Sequence, residues 1–462
     1  MRLDLGTAIS SLSVTACNQG SQAGSAAPAA AFSVPTGAVI DWNASSLALK
    51  GGDPVASWRD DLAGVTANAA GSNKPIFVAD AMGGKQGVRF TGLAGCEMLA
   101  AATGVLADTF ASHRYTVAVI TADIQPAANG TLFAAASNAT NGVWVLGSGT
   151  QAGSYNYKRA HGGSNALSIV TQTSDNTDKL FPVSSAGSGA QRFYVNGSCF
   201  YCYPGQGPAY TGANFAIGSR VGAFFAKSTI LRILIWDRDL SPAEVLQLQF
   251  AAEADHGQAV ARPENFIVFD GDSITAGVGA QLNSEYSYPG IVASGLGRPL
   301  GSWTNVAVPS ATTEDMTGLV HEIADIAGVV DRQMIVSAFE WYNQPGGGIS
   351  TNPIRAYNAA VKAAVPGALT VIGSSTAAGA RDTADDTRMK YNLSLDADHG
   401  AFDAYVAIHE EPEIGVRYAA SASDPNASTF FQNDRVHLTG NSGDSGYRRL
   451  AAMFKTAIAM LS

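Results

Sequence analysis

The stretch Phe266-Ile267-Val268-Phe269-Asp270-Gly271-Asp272-Ser273-Ile274-Thr275 changes character in its middle. Apolar residues, all aromatic or β-branched, run straight into Asp-Gly-Asp-Ser, which reads as a buried strand ending in a tight turn. In an open α/β sheet ligands collect at the carboxyl ends of the strands, and this turn delivers Ser273 there. A serine hydroxyl becomes a nucleophile when a base takes its proton and an acid orients that base. Near the C-terminus, Asn433-Asp434-Arg435-Val436-His437-Leu438-Thr439-Gly440 supplies both, with Asp434 three residues before His437. Ser273 is therefore the candidate nucleophile, His437 the general base and then acid, and Asp434 the group that fixes the imidazole tautomer. His321, His399 and His409 lack such a partner pattern and are expected to be surface or core residues.

Around these motifs the chain alternates strand and helix. Strands are predicted over 266–270, 302–308, 333–339, 369–374 and 403–408, with helices around 286–296, 313–328, 352–364, 382–397 and 446–461. Such alternation with right-handed crossovers implies a parallel sheet covered on both faces, a three-layer α/β domain over 265–462.

Gly-Asp-Ser at the end of the first strand together with Asp-x-x-His before the last helix resembles the SGNH (GDSL) hydrolase family. The resemblance implies a serine esterase that needs no cofactor and no metal. It also implies an oxyanion hole made by the backbone N–H of Ser273, the backbone N–H of Ser310 and the side-chain amide of Asn343. Two family blocks are altered here. Asn305-Val306-Ala307-Val308-Pro309-Ser310 places Ala307 and Ser310 where the family has glycines, and Trp341-Tyr342-Asn343-Gln344 keeps only the asparagine of Gly-x-Asn-Asp. A Cβ at residue 310 bears on whether the backbone can aim that N–H. Asp272, Trp341 and Tyr342 are the expected substrate contacts, the aromatic pair suiting sugar rings.

Upstream, from 36 to 256, short alternating segments such as 115–120, 192–197 and 230–236 are separated by Gly, Asn, Ser and Asp clusters, the pattern of an all-β jelly-roll sandwich. Val39-Ile-Asp-Trp42, Ser57-Trp58-Arg59-Asp60, Gly87-Val88-Arg89-Phe90 and Ile235-Trp236-Asp237-Arg238 together resemble a laminin-G-like, concanavalin-type fold. Ser241-Pro242-Ala243-Glu244 is a capping box with proline at the first helical position, opening a helix that ends near His256. Residues 257–264 read as a short linker, and 1–35, small and polar, as a flexible tether. Val14-Thr15-Ala16-Cys17 has the outline of a bacterial lipobox in a weak apolar context. The alternative is an uncleaved start, as in a virion protein.

Composition closes off several classes. The 462 residues carry a net charge of -10 without a basic cluster, which argues against nucleic acid. No apolar run approaches the roughly 18 residues of a membrane span. Cys199-Phe-Tyr-Cys202 lies in a strand pattern with no second CxxC, so buried thiols or one disulfide are expected rather than zinc. The carboxylates of Asp382–Asp386 and of Glu410-Glu411-Pro412-Glu413 are expected to be solvated. The expectation is a two-domain esterase that removes acyl groups, acetyl foremost, from a polysaccharide or cell-surface glycan. It would act at a cell surface, outside the cell or on a virion, where the tether could join other virion proteins. The rival expectation is a structural or receptor-binding virion protein whose hydrolase domain has decayed.

Overall fold

The computed structural model describes residues 34–462 except 113, 125–129, 137–141, 149–153, 161–166, 173–189, 205–211, 213, 259, 281–285, 341–342, 344–348, 378–381, 417–418, 422–423, 425 and 442; of residues 1–33 it describes Arg2–Leu3 paired with Leu12–Ser13. The chain divides into two compact units. One comprises Ala29–Gly197 and Pro204–Ala261, the other Met1–Pro28, Ser198–Tyr203 and Arg262–Ser462.

The first unit is an antiparallel β-sandwich. One sheet runs, in spatial order, Leu167–Gln172, Ser154–Ala160, Gly142–Ser148, Phe133–Ala136, Asn214–Ile217, Met98–Ala101, Thr66–Ala69 and Ser57–Arg59. The other is built around Lys227–Trp236, which pairs with Ala38–Asn43, Lys85–Thr91 and Thr116–Ile124, while Ile76–Met82 pairs with Lys85–Thr91. Between the sheets Trp42 meets Phe133 at 6.4 Å and Phe110 meets Phe215 at 5.0 Å. Arg232 and Asp41 close a two-pronged ion pair between neighbouring strands, at 2.7 and 2.5 Å. The capping box forms as its sequence requires: Ser241 Oγ accepts from Glu244 N–H, Glu244 Oε2 accepts from Ser241 N–H, and the helix runs Pro242–Asp255. Cys96 is a buried free thiol and Cys199 is buried; Cys17 and the side chain of Cys202 lie outside the described residues.

The second unit is α/β. Its strands are β1 (Asn265–Gly271), β2 (Trp303–Asn305), β3 (Gln333–Phe339), β4 (Leu369–Gly373) and β5 (Ala404–Val406), all parallel, in the spatial order β2-β1-β3-β4-β5. Its helices are α1 (Tyr288–Gly295), α2 (Thr313–Gly318), α3 (Val320–Val330), α4 (Asn352–Ala364), α5 (Asp382–Ala397), α6 (Ala427–Phe430) and α7 (Gly446–Ala459). Every residue of β1 is buried, as expected of a strand covered on both faces. Successive side chains show the two coverings. Phe269 packs edge-on to Tyr288 of α1, which stacks on Phe454 of α7 at 5.0 Å, while Asp270, on the opposite face, accepts a 2.7 Å hydrogen bond from Tyr357 of α4.

Several predicted elements came out shorter, the strand expected over 403–408 being only Ala404–Val406. The strand predicted over 302–308 stops at Asn305, because the Asn305 side chain itself accepts the N–H of Ala307 and turns the chain. The helix predicted over 313–328 is broken at Gly318-Leu319 into α2 and α3. From β1 the chain passes to β2 on one side and then to β3 on the other. That reversal of strand order brings the carboxyl ends of all three strands around one crevice.

Candidate functional site

Gly271 closes β1 with φ +147°, and a Cβ there would come within 2.4 Å of Thr275 Oγ1 and 2.9 Å of Phe339 O. Only glycine allows the chain to turn so tightly against β3. The turn it begins is helical in character: Asp272 O accepts from Ala276 N–H and Ser273 O from Val278 N–H, both at 2.9 Å. Ser273 is left half-buried on the rim of the sheet.

The histidine arrives on a separate loop. Phe431 and Leu438 bridge antiparallel, Gln432 N–H donates to His437 O at 2.8 Å, and Arg435 takes a left-handed φ of +58° at the tip. Gln432 Nε2 donates to Gly279 O, and Ala280 bridges Gly440, so this loop is tied to the one carrying Ser273. His437 Nε2 then lies 2.9 Å from Ser273 Oγ, and His437 Nδ1 lies 2.6 Å from Asp434 Oδ2. Asp434 Oδ1 accepts the N–H groups of Val436 and His437, each at 3.0 Å. Partial burial works against the Asp434 charge, but the hydrogen bonds from His437 and the two backbone amides outweigh it and hold the carboxyl below its ordinary value. An ionised Asp434 fixes the Nδ1–H tautomer and leaves Nε2 to accept the serine proton.

The segment Val308–Ala311 follows the end of β2. Val308 N–H donates to Gly271 O at 3.2 Å, and Ala311 N–H donates back to Val308 O at 3.0 Å. With Pro309 second and Ser310 third, at φ +69°, this is the arrangement of a type II turn, whose third position ordinarily takes glycine. Ser310 thus adopts the left-handed backbone despite its Cβ, and its side chain is exposed. Asn305, buried, donates through Nδ2 to Thr275 O at 2.7 Å and locks the serine turn to the end of β2.

In the segment after β3, Asn343 is described and donates through Nδ2 to Ala311 O at 3.0 Å. A side-chain amide has two N–H groups, so one is committed to Ala311 and one remains for a ligand. Trp341 and Tyr342, expected as substrate contacts, lie outside the described residues. Asp272, expected as a third, is corrected. Its carboxyl is buried and accepts Ile274 N–H at 2.8 Å, so it supports the turn from inside rather than facing a ligand. Desolvation and then the nearby charge of Glu340 push it up to about 7.

Sequence reasoning missed Glu340. It is buried at the end of β3, with Oε1 accepting Asn343 N–H at 2.8 Å and Oε2 accepting Thr313 Oγ1–H at 2.9 Å. The available signal was an acid directly closing the apolar strand Met334–Phe339. One carboxylate from each of the two sets expected to be solvated is also corrected. Asp385 is fully buried and meets the equally buried Arg388 at 2.6 Å, while Glu411 accepts the N–H groups of Glu413 and Ile414 and is pushed up by burial. Among the described residues no cluster of three His, Cys, Asp or Glu side chains could hold a metal ion, and no helix is long and apolar enough to cross a membrane. His409 is buried, His321 exposed, and His399 stacks on Tyr405.

No family model matches the chain, and no curated protein matches it. Among solved structures, a member of the lipolytic protein G-D-S-L family from Veillonella parvula DSM 2008 is similar over 42% of this chain and 98% of its own, at 18% identity and a TM-score of 0.33. The botulinum neurotoxin type G receptor binding domain is similar over 47% of this chain and 52% of its own, at 13% identity and a TM-score of 0.34. Trypanosoma rangeli sialidase is similar over 48% of this chain and 34% of its own, at 20% identity and a TM-score of 0.31. The chain therefore spans about half the length of the neurotoxin domain and about a third of the sialidase.

Proposed function

We propose that the chain is a serine esterase that removes acyl groups, acetyl foremost, from a carbohydrate polymer, with the β-sandwich as an accessory module that holds the glycan. The observation that carries the reading is the unbroken hydrogen-bond chain from Ser273 Oγ through His437 to Asp434, at 2.9 and 2.6 Å. Ser273 Oγ attacks the acyl carbon while His437 Nε2 takes its proton, and the carbonyl oxygen becomes an oxyanion near the Ser273 and Ser310 N–H groups and the Asn343 amide. As the bond from the acyl carbon to the sugar oxygen breaks, the imidazolium, paired with ionised Asp434, gives its proton to that oxygen, so the sugar leaves as an alcohol and an acyl-serine remains. A water, deprotonated by the same nitrogen, then attacks that ester and releases the acid and the free serine.

The acetyl-glycan assignment draws on the pairing of this site with a laminin-G-like sandwich, and display on a virion or cell surface belongs to the same proposal, since a polymer is met outside the cell. The test is release of acid from a panel of acetylated glycans and from a short-chain aryl ester, by the whole protein and by Ser273→Ala. Hydrolysis of the aryl ester alone would keep the esterase and remove the glycan. Equal rates from both proteins would remove the esterase.

A further inference from the structure

Asn343 is held from outside its own segment. Three contacts converge on it and on the segment after β2. Glu340 Oε1 accepts the main-chain N–H of Asn343 at 2.8 Å; Glu340 Oε2 accepts the hydroxyl of Thr313, the first residue of α2, at 2.9 Å; and Asn343 Nδ2 donates to Ala311 O at 3.0 Å. Ala311 directly follows Ser310, and Thr312, the cap of α2, is fixed by a reciprocal pair of hydrogen bonds with Asp315. A single carboxylate therefore joins the segment after β3 to the segment after β2, the two segments whose amides would face an oxyanion. Glu340 is 2% exposed and Thr313 is 1% exposed, so the hydrogen bond between them is shielded from water.

We propose that Glu340 is a positioning residue for the oxyanion hole, clamping Asn343 and the start of α2 with its two oxygens and so setting the angle at which the Asn343 amide meets the reacting carbonyl. The inference rests on the esterase reading of Ser273 and acts only through Asn343. A carboxylate suits the task because it accepts on both oxygens at once without rotating, and because a charged acceptor makes the stronger hydrogen bond. The same charge reaches the turn beneath the nucleophile, where it helps to raise the Asp272 carboxyl. The effect of the clamp should fall on the rate constant rather than on binding, since an oxyanion donor is used most fully in the transition state.

The experiment is a set of steady-state measurements on the full chain with a short-chain aryl ester. Glu340→Ala should lower kcat by about 100-fold, within the range of a lost oxyanion donor, and change KM by less than about three-fold. Glu340→Gln, which keeps an acceptor for the Asn343 N–H, should recover most of that loss. Glu340→Ala combined with Asn343→Ala should be no slower than Asn343→Ala alone within about three-fold, because both changes remove one contribution. A kcat for Glu340→Ala within two-fold of the parent, or costs that multiply in the double variant, would overturn the inference. If Glu340→Ala does not fold, Thr313→Val takes its place in the same cycle: a loss of several-fold in kcat that does not multiply with Asn343→Ala supports the clamp, and full activity or multiplying costs overturn it. Undiminished hydrolysis by Ser273→Ala would instead overturn the esterase reading itself, which keeps the two failures apart.

Discussion

Ser273 and Ser374 both follow the carboxyl end of a strand, β1 and β4, and both lie within hydrogen-bond distance of a histidine nitrogen, at 2.9 Å from His437 Nε2 and 3.1 Å from His409 Nδ1. The resemblance ends there. Ser374 is fully buried, and its oxygen also accepts the main-chain N–H of His409 at 3.0 Å, so it ties the end of β4 to the turn Ile408–Glu410. Burial holds the His409 imidazole below its ordinary value, and among the described residues no carboxylate hydrogen-bonds to it. His437 is partly open to solvent, presents Nε2 rather than Nδ1, and has Asp434 behind it. A serine beside a histidine is thus a common packing solution. Access, the correct nitrogen and an orienting acid make it a candidate for chemistry.

The sharpest way to break the contrast is to remove each hydroxyl in turn. Ser273→Ala should lower kcat for a short-chain aryl ester by about a millionfold, the scale of losing a nucleophile that works as part of a unit. Ser374→Ala should leave kcat within two-fold and cost about 1–3 kcal/mol of stability, because the His409 N–H loses its buried acceptor. Reversed results would mean that the buried pair is the working one. Next in size, Asp434→Asn should cost roughly 10,000-fold in kcat with the fold intact, since an amide favours the wrong imidazole tautomer. A loss below ten-fold would show that His437 needs no acid and would erase the difference from His409.

The interior of the site gives a third prediction. The Asp272 carboxyl, at about 7, stands above its ordinary 3.8, so its support for the fold is fullest below the ordinary value and is lost as pH rises through about 7. The loss is on the order of 4 kcal/mol at about 1.36 kcal/mol per unit. Denaturant midpoints at pH 5 and pH 8 should therefore diverge more for the parent than for Asp272→Asn; parallel changes would mean that Asp272 does not titrate in that window. Smallest is Ser310→Gly, which should stabilise the protein by about 1 kcal/mol by releasing a left-handed serine, read as a higher denaturant midpoint. An unchanged or lower midpoint would mean that the turn does not strain Ser310.

How much of this was legible in the sequence depended on distance along the chain. Ser273, at the end of a strand readable from its own five neighbours, and Asp434 with His437, three residues apart on one loop, are local patterns. So is the Ser241–Glu244 capping box. The sheet followed from the strand and helix rhythm. Contacts whose partners lie far apart in sequence had no local trace. Glu340 reaches Thr313, 27 residues upstream; Tyr357 reaches Asp270, 87 residues away; and the solvation assigned to Asp385 and Glu411 failed because burial is decided by what packs over a residue. Ser310 marks the boundary between the two cases. Its sequence raised the conflict between a Cβ and a left-handed turn, and the fold accepts that conflict because Val308 N–H and Ala311 N–H both find acceptors in this backbone shape.

The bond between Ser273 and His437 spans 164 residues of chain, and the loop carrying the histidine is held against the serine turn by Gln432 and by the Ala280–Gly440 bridge. During synthesis the nucleophile therefore exists well before its base. At about 5–20 residues per second the ribosome needs roughly 10–30 s to cover that distance. For that interval the emerging chain holds a serine that is chemically inert, so any ester-cleaving capacity arises late and at one moment, when the closing segment docks.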